Sequence, residues 1–294
     1  MAQVNRRITC SNNDGVKVTF SETGLTPFLL VNATGVYKAD YNVTISENTM
    51  TDGGAFQGSV AKIRNIVLTL KDLKDHVYNR NLLEALFKPN EAGTLLFVED
   101  ENERLINYYV ESVDSTGKYG SRTYTVSLLC PDPFFYAKSD ITVSLAAWVG
   151  NFEFPHCFIE EGEEFGYRSA QKSQNIINEN ASSGIGMTIT LTADGGVTNP
   201  SVIRIESGES IQVGSETMPF TMELGDTLTI TTSDNDKHVY FTHEGVTTEV
   251  NQYITEESVF IQLQRGDNNI GYSAEEGEDA LSVQISYRLK FAGA

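Results

Sequence analysis

The feature that most constrains this chain is an apolar/polar alternation of period two, recurring in short runs along most of its length. In Ser282-Val-Gln-Ile-Ser-Tyr-Arg-Leu-Lys-Phe291, Val283, Ile285, Tyr287, Leu289 and Phe291 would share one face. Ser282, Gln284, Ser286, Arg288 and Lys290 would share the other. Only an extended strand separates neighbours in this way, because successive side chains leave a pleated backbone on opposite sides. Met187–Leu191, Leu228–Ile230 and Val259–Leu263 repeat the pattern. Turn-forming clusters stand between the runs, at Asp194-Gly-Gly196, Asn199-Pro200, Leu224-Gly-Asp226 and Arg265–Asn269. Several short strands at this spacing predict a β-sandwich over residues 141–294.

The first 140 residues read differently. Asn79–Phe87 places Leu82, Leu83, Leu86 and Phe87 on one helical face, and Pro89 stops the helix. Strands are expected around it at Lys62–Leu70, Thr94–Val98, Leu105–Val113 and Thr123–Leu129. Asp114–Lys118 is expected to turn between the last two. Met50–Gly58 is rich in glycine and reads as a mobile loop. Pro131-Asp-Pro133 halts the last strand and marks the approach to a boundary. The expected fold is therefore mainly β, with a helix-bearing domain at 1–140 and a sandwich at 141–294.

Charge divides the chain along the same line. The net charge is −19. Residues 1–140 hold 14 Lys+Arg against 17 Asp+Glu, and residues 141–294 hold 7 against 23. The first part, at −3, can pack against copies of itself with little repulsion. The second, at −16, favours solvent or a basic partner. So acidic a chain is a poor direct binder of nucleic acid. No secretory signal and no membrane-length apolar run is read from the sequence, so no membrane insertion is expected. Cys10, Cys130 and Cys157 are odd in number and far apart, which fits plain thiols better than a disulfide framework or zinc site. Sequons at Asn32, Asn42 and Asn180 read as chance matches.

A search for chemistry assigns no catalytic, cofactor-binding or metal-binding residue, and no cofactor. His76, His156, His238 and His243 make no metal-ligand spacing. There is no nucleophile elbow, phosphate loop or dinucleotide fingerprint. Asp234-Asn-Asp236 begins like a calcium loop but lacks the later glycine and glutamate, so it reads as a solvated turn. Glu160–Glu164 and Glu275–Asp279 read as exposed acidic loops. Arg265-Gly-Asp267 reads as a turn between strands. Trp148, the single tryptophan, reads as core or interface more readily than as a sugar platform.

Against this background, Val126-Ser-Leu-Leu-Cys-Pro-Asp-Pro-Phe-Phe135 resembles the segment that closes the N-terminal domain in the Dit family, the distal tail proteins of long-tailed phages. Other features agree in order: Phe28–Val31, the glycines 53, 54 and 58, Arg64-Asn-Ile-Val-Leu68 as an R-x-I-x-L strand, Leu86-Phe-Lys-Pro89, and Gly93-Thr-Leu95. Further on, Asn199-Pro200, Leu224–Ile230, Gln264–Ile270 and Ile285–Phe291 resemble features of the family's second domain. The acidic runs near Glu160 and Glu275 are not part of that pattern.

The resemblance implies a virion structural protein, not an enzyme, located at a siphophage tail tip and assembled in the host cytoplasm. Tail-tube-like first domains would form a homo-hexameric ring around a channel through which genomic DNA only passes, and a galectin-like sandwich would project outward. The ring would join the major tube protein to the tail tip protein and serve as a baseplate hub, with a receptor-binding protein as a further partner. The alternative reading is a carbohydrate-binding module contacting cell-wall glycans.

Overall fold

The computed structural model describes residues 6–24, 26–47, 52–72, 75–118, 121–145, 148–150, 166–168, 172–178 and 184–294. They fall into two compact units, Met1–Lys138 with Lys290–Ala294, and Ser139–Leu289.

In the first unit the strands are β1 (Arg6–Asn12), β2 (Lys17–Ser21), β3 (Phe28–Thr34), β4 (Tyr41–Glu47), β5 (Gly54–Ala61), β6 (Arg64–Asp72), β7 (Ala92–Glu99), β8 (Asn102–Lys118), β9 (Ser121–Cys130) and β10 (Phe135–Ala137). The order β8-β7-β1-β2-β3-β6-β9 closes on itself because β8 also pairs with β9. The result is a seven-stranded barrel with no free edge along that circuit. Its interior follows from alternation. On β6, Arg64, Ile66, Leu68, Leu70 and Asp72 are buried while their neighbours face away.

The helix α1 (His76–Leu86) begins at Asp75, whose carboxylate accepts from the Tyr78 amide at 3.4 Å. Its buried face carries Leu83 and Leu86, and Phe87 follows at its end. Asn12, at the end of β1, donates to the Ala85 and Leu86 carbonyls at 2.9 and 3.4 Å. Two orphan carbonyls of the last turn are thus satisfied by the barrel itself. Phe87 stacks on Phe20 at 6.3 Å and lies 6.1 Å from Tyr108. Tyr108 in turn requires Gly93, since a Cβ there would come within 2.3 Å of its ring.

Beyond the circuit, β10 pairs with β8 on one side and with the segment Lys290–Phe291 on the other. The 282–291 run, expected as one strand, therefore divides: its ladder ends at Tyr287, and Phe291 packs in the other unit opposite Phe135. Arg104 lies 4.0 Å over the Phe291 ring, and the Ala294 amide donates to Val36 at 2.9 Å.

In the second unit the strands are β11 (Ile141–Leu145), β12 (Trp148–Gly150), β13 (Gly166–Arg168), β14 (Ser173–Asn178), β15 (Met187–Ala193), β16 (Val197–Arg204), β17 (Glu209–Gln212), β18 (Thr221–Met222), β19 (Thr227–Ser233), β20 (Asp236–His243), β21 (Val246–Glu249), β22 (Gly266–Glu276) and β23 (Leu281–Tyr287). The Lys290–Phe291 strand is β24. One sheet runs β11-β23-β15-β19-β20-β21 and another β14-β22-β16-β17, with β18 beside β16. β12 and β13 pair separately. Ile189, Leu191, Ile230 and Ile285 of the first sheet share a core with Val202, Ile211, Ile270 and Tyr272 of the second. This is a β-sandwich, each sheet turning its apolar side inward.

Several expectations are corrected. Met50–Gly58 was read as a loop, yet Gly54–Ala61 is a strand paired with β4. Asp114–Lys118 is not the turn; β8 continues through it, and Lys118 pairs with Ser121. Asn199-Pro200 does not end a strand but lies inside β16, where Asn199 at φ 49 and Glu275 across from it are passed over by the ladder to β22 without a change of register. Gly266 to Asn269 belong to β22 rather than a turn. There Asn268 is fully buried, its amide donating to the Gln264 and Gly266 carbonyls at 2.8 and 3.0 Å. Val259–Leu263, expected as a strand, is not one: Ile261 and Leu263 are buried, but Val259 is exposed and Leu263 makes an isolated bridge to Ile185.

Two stability outcomes follow. Leu83→Ala removes a fully packed side chain and is expected to cost about 2–5 kcal/mol in denaturant unfolding; an unchanged midpoint would place the helix face outside the core. Arg64→Ala strands four carbonyl partners (Pro133, Gly35, Val36 and Ala292) at roughly 1–3 kcal/mol for each that stays buried. Arg64→Lys is expected to recover little, because an ammonium cannot reproduce the planar fork. Wild-type stability in Arg64→Lys would refute that role.

Candidate assembly surface

Tyr41–Glu47 and Gly54–Ala61 make a ribbon of two strands, separate from both the barrel circuit and the sandwich. Its base is fastened where the Lys62 amide donates to the Asp40 carbonyl at 2.8 Å. Tyr41, Val43 and Ile45 alternate on one face of β4. Ala61 stands opposite Tyr41, and Phe56 opposite Ile45. The register slips between Thr44 and Ile45, with Gly58 at φ 155, a conformation open to glycine and rare for any other residue. Gly54 has a separate reason: a Cβ there would meet Ile45 Cγ2 at 2.6 Å.

Both strands are exposed over nearly their whole length. Ile45 is 58% accessible, Phe56 67% and Val60 71%. Ile63, just beyond the ribbon, is also exposed. Glu47 is the sole charged residue on the two strands. A two-stranded ribbon is marginal in water by itself, and large apolar side chains grouped on one are the mark of a contact surface. The alternation of Tyr41, Val43 and Ile45 was present in the sequence, but the glycines opposite obscured the partner strand.

The chemistry-bearing residues are dispersed. His76 Nδ1 lies 2.6 Å from Asp72, which also accepts from Asn79 at 2.6 Å and so pins the helix start to β6. His238 Nδ1 is 2.7 Å from Glu249, and the ring stacks on Tyr240. His243 stacks on Phe241 instead, so the two β20 histidines use opposite faces, as their odd spacing requires. Among the described residues no group of three His, Cys, Asp or Glu could hold a metal ion. Cys10 and Cys130 are buried free thiols. Burial pushes the Cys130 thiol up to about 12, and Cys10 is raised by the same cause, so neither is a reactive thiolate. His156, Cys157, Asn180 and the Glu160–Glu164 run lie outside the described residues, as does the Trp148 side chain. Asp234 and Asn235 form a turn between β19 and β20, and Asp236 opens β20 opposite Ser233. Asp267 is on a strand and accepts from Asn175 at 2.8 Å. No helix among the described residues is long and apolar enough to cross a membrane.

His243 carries one pH-dependent contact. Its Nδ1 lies 2.7 Å from the nearly buried Asp226, whose hydrogen bond and charge raise the imidazole above its ordinary value. A folded-state value above the unfolded one adds stability below about pH 6.5, lost as pH rises through the folded value. Wild type and His243→Gln should therefore differ in melting temperature at mildly acidic pH and converge in alkaline buffer. A gap that widens with pH would reverse this assignment.

No protein-family model matches the sequence, and no curated protein matches it. Solved structures do match in fold. The class they define is a β-barrel unit with further β-sheets, of the kind found in phage adsorption apparatus. In particular, the chain is similar to the Dit protein (gp 19.1) of SPP1, described as a paradigm of the hub of the adsorption apparatus in phages infecting Gram-positive hosts. The TM-score is 0.66 at 14% identity, over 97% of this chain and 99% of that one. It is also similar to a chain of the phage P2 baseplate in its activated conformation with Ca, with a TM-score of 0.52 at 11% identity, covering 99% and 100%. The activated conformation with Sr gives 0.50 at 11% identity. The fold is thus the Dit fold along nearly its entire length.

Proposed function

We propose that this protein is a structural hub at the distal end of a long-tailed phage tail, forming a homo-hexameric ring through its first unit. The observation that carries the reading is end-to-end likeness in fold to a phage hub protein, over 97% of the chain. The apolar ribbon supports it by supplying a surface in need of a partner. A second copy is the occupant that suits it best: the ribbon is nearly free of charge, and the 1–140 region is close to neutral, so six copies can approach without strong repulsion.

In this reading residues 1–140 form a tail-tube-like ring domain around a channel that genomic DNA only traverses. The second unit, Ser139–Leu289, is a galectin-like domain held away from the axis, where its acidic charge is hydrated and dispersed. The neighbours are the tube protein, the tail tip protein and a receptor-binding protein. The place of action is the virion, after assembly in the host cytoplasm. The role is structural, and no catalytic residue is assigned.

Light scattering on the full chain tests the ring. The expected mass is six times 32.4 kDa. Ile45→Asp with Phe56→Asp should shift it to the monomer while the far-ultraviolet circular dichroism stays unchanged. A monomeric wild type would overturn the ring. A hexameric double variant would keep the ring and remove the ribbon from its interface.

A further inference from the structure

The outer face of the β17-β16-β22 sheet holds a groove of about 540 Å³ that the assembly reading does not use. Its floor follows from strand register. Ser201 lies opposite Gln212 on one side and Ser273 on the other, so three polar side chains make a row across three strands. The inward neighbours Val202, Ile211 and Tyr272 belong to the sandwich core. Ser201 and Ser273 hydroxyls touch at 2.7 Å, leaving lone pairs and a rotatable proton for a ligand.

The wall is fixed. Asn199, only 3% exposed, accepts from the Phe220 amide at 2.9 Å and donates to Glu275 at 2.5 Å. Its Oδ1 packs so closely on Gly214 that a Cβ there would lie 2.1 Å away. Gly214, at φ 94, opens the loop carrying Ser215, Glu216 and Thr217 along the groove. That loop is closed by reciprocal Ser215–Met218 backbone bonds of 3.0 and 3.2 Å. One buried amide thus sets both the loop and the carboxylate, and the groove needs no rearrangement to accept a ligand.

We infer that this groove is a saccharide subsite selective for sugars without acidic groups. Hydroxyl and amide side chains in a row match the vicinal hydroxyls of a pyranose. Glu216 and Glu275, with no Lys or Arg in the lining, repel uronates and phosphates and favour an ammonium substituent. The lining has no aromatic platform, so binding is weak. The inference stands apart from the ring: its loss leaves assembly untouched.

Saturation-transfer difference NMR reads the sugar's own signals and suits the full chain in any oligomeric state. With glucosamine and glucuronate as probes, wild type should transfer magnetisation to glucosamine and little to glucuronate. Gln212→Leu with Ser273→Leu should abolish the glucosamine transfer. Glu216→Lys, on an exposed loop where folding is not at stake, should invert the preference between the two sugars. The inference is overturned by absence of transfer to glucosamine in wild type, by its persistence in the double leucine variant, or by an unchanged preference in Glu216→Lys.

Discussion

The first unit depends on a single strand face that is charged at both ends. Along β6 the buried positions read Arg64, Ile66, Leu68, Leu70, Asp72. Alternation forces all five inward, so the three apolar side chains cannot enter the barrel without taking a guanidinium and a carboxylate with them. A buried charge is costly unless its hydrogen bonds are met. Arg64 meets them with the carbonyls of Pro133, Gly35, Val36 and Ala292, and its guanidinium also lies 5.0 Å over the Phe135 ring. Asp72 meets them with His76 and Asn79 at the start of α1. The strand that fills the barrel therefore also fixes where the helix begins and where three distant chain segments converge.

The convergence explains why the 282–291 run divides. Its alternation is continuous, and nothing local ends it at Tyr287. Beyond that point the Ala292 and Gly293 carbonyls are taken up by Arg64 and Arg104, and a Cβ at Gly293 would lie 1.9 Å from the Tyr37 carbonyl. Side-chain charges more than a hundred residues away decide where the last residues go, and a local pattern carries no trace of them.

Much of the fold was legible because burial in a sheet imposes a simple rule. Leu83 and Leu86 on the helix, Ile189 and Leu191 on β15, and Leu228 and Ile230 on β19 were all marked by spacing alone. Where reading failed, a turn-forming residue sat inside a strand. Asn199-Pro200 and Gly266 punctuate a sequence on propensity, yet tertiary contacts hold them within strands: Asn199 by its bonds to Phe220 and Glu275, and the Gly266 region by Asn268. Gly54 and Gly58 misled in the same way, and with them went the β4–β5 ribbon. The candidate assembly surface was thus hidden by the very residues that make it. The polar groove was less legible still, since its floor is completed only by register between β16 and the distant β22, where Ser201 meets Ser273.

Ribbon and groove illustrate two ways a surface departs from ordinary solvent-facing structure. The ribbon exposes apolar area without a core beneath it, and water penalises that state in proportion to the area. Such a surface favours a partner able to exclude water over a broad contact, as a second copy can. The groove exposes polar groups that water satisfies well, so occupancy requires a ligand whose own hydroxyls replace those waters one for one. The first arrangement favours persistent assembly, the second weak and reversible contact. On the proposed reading both have a use: a persistent ring in the first unit and a weak, reversible contact in the second.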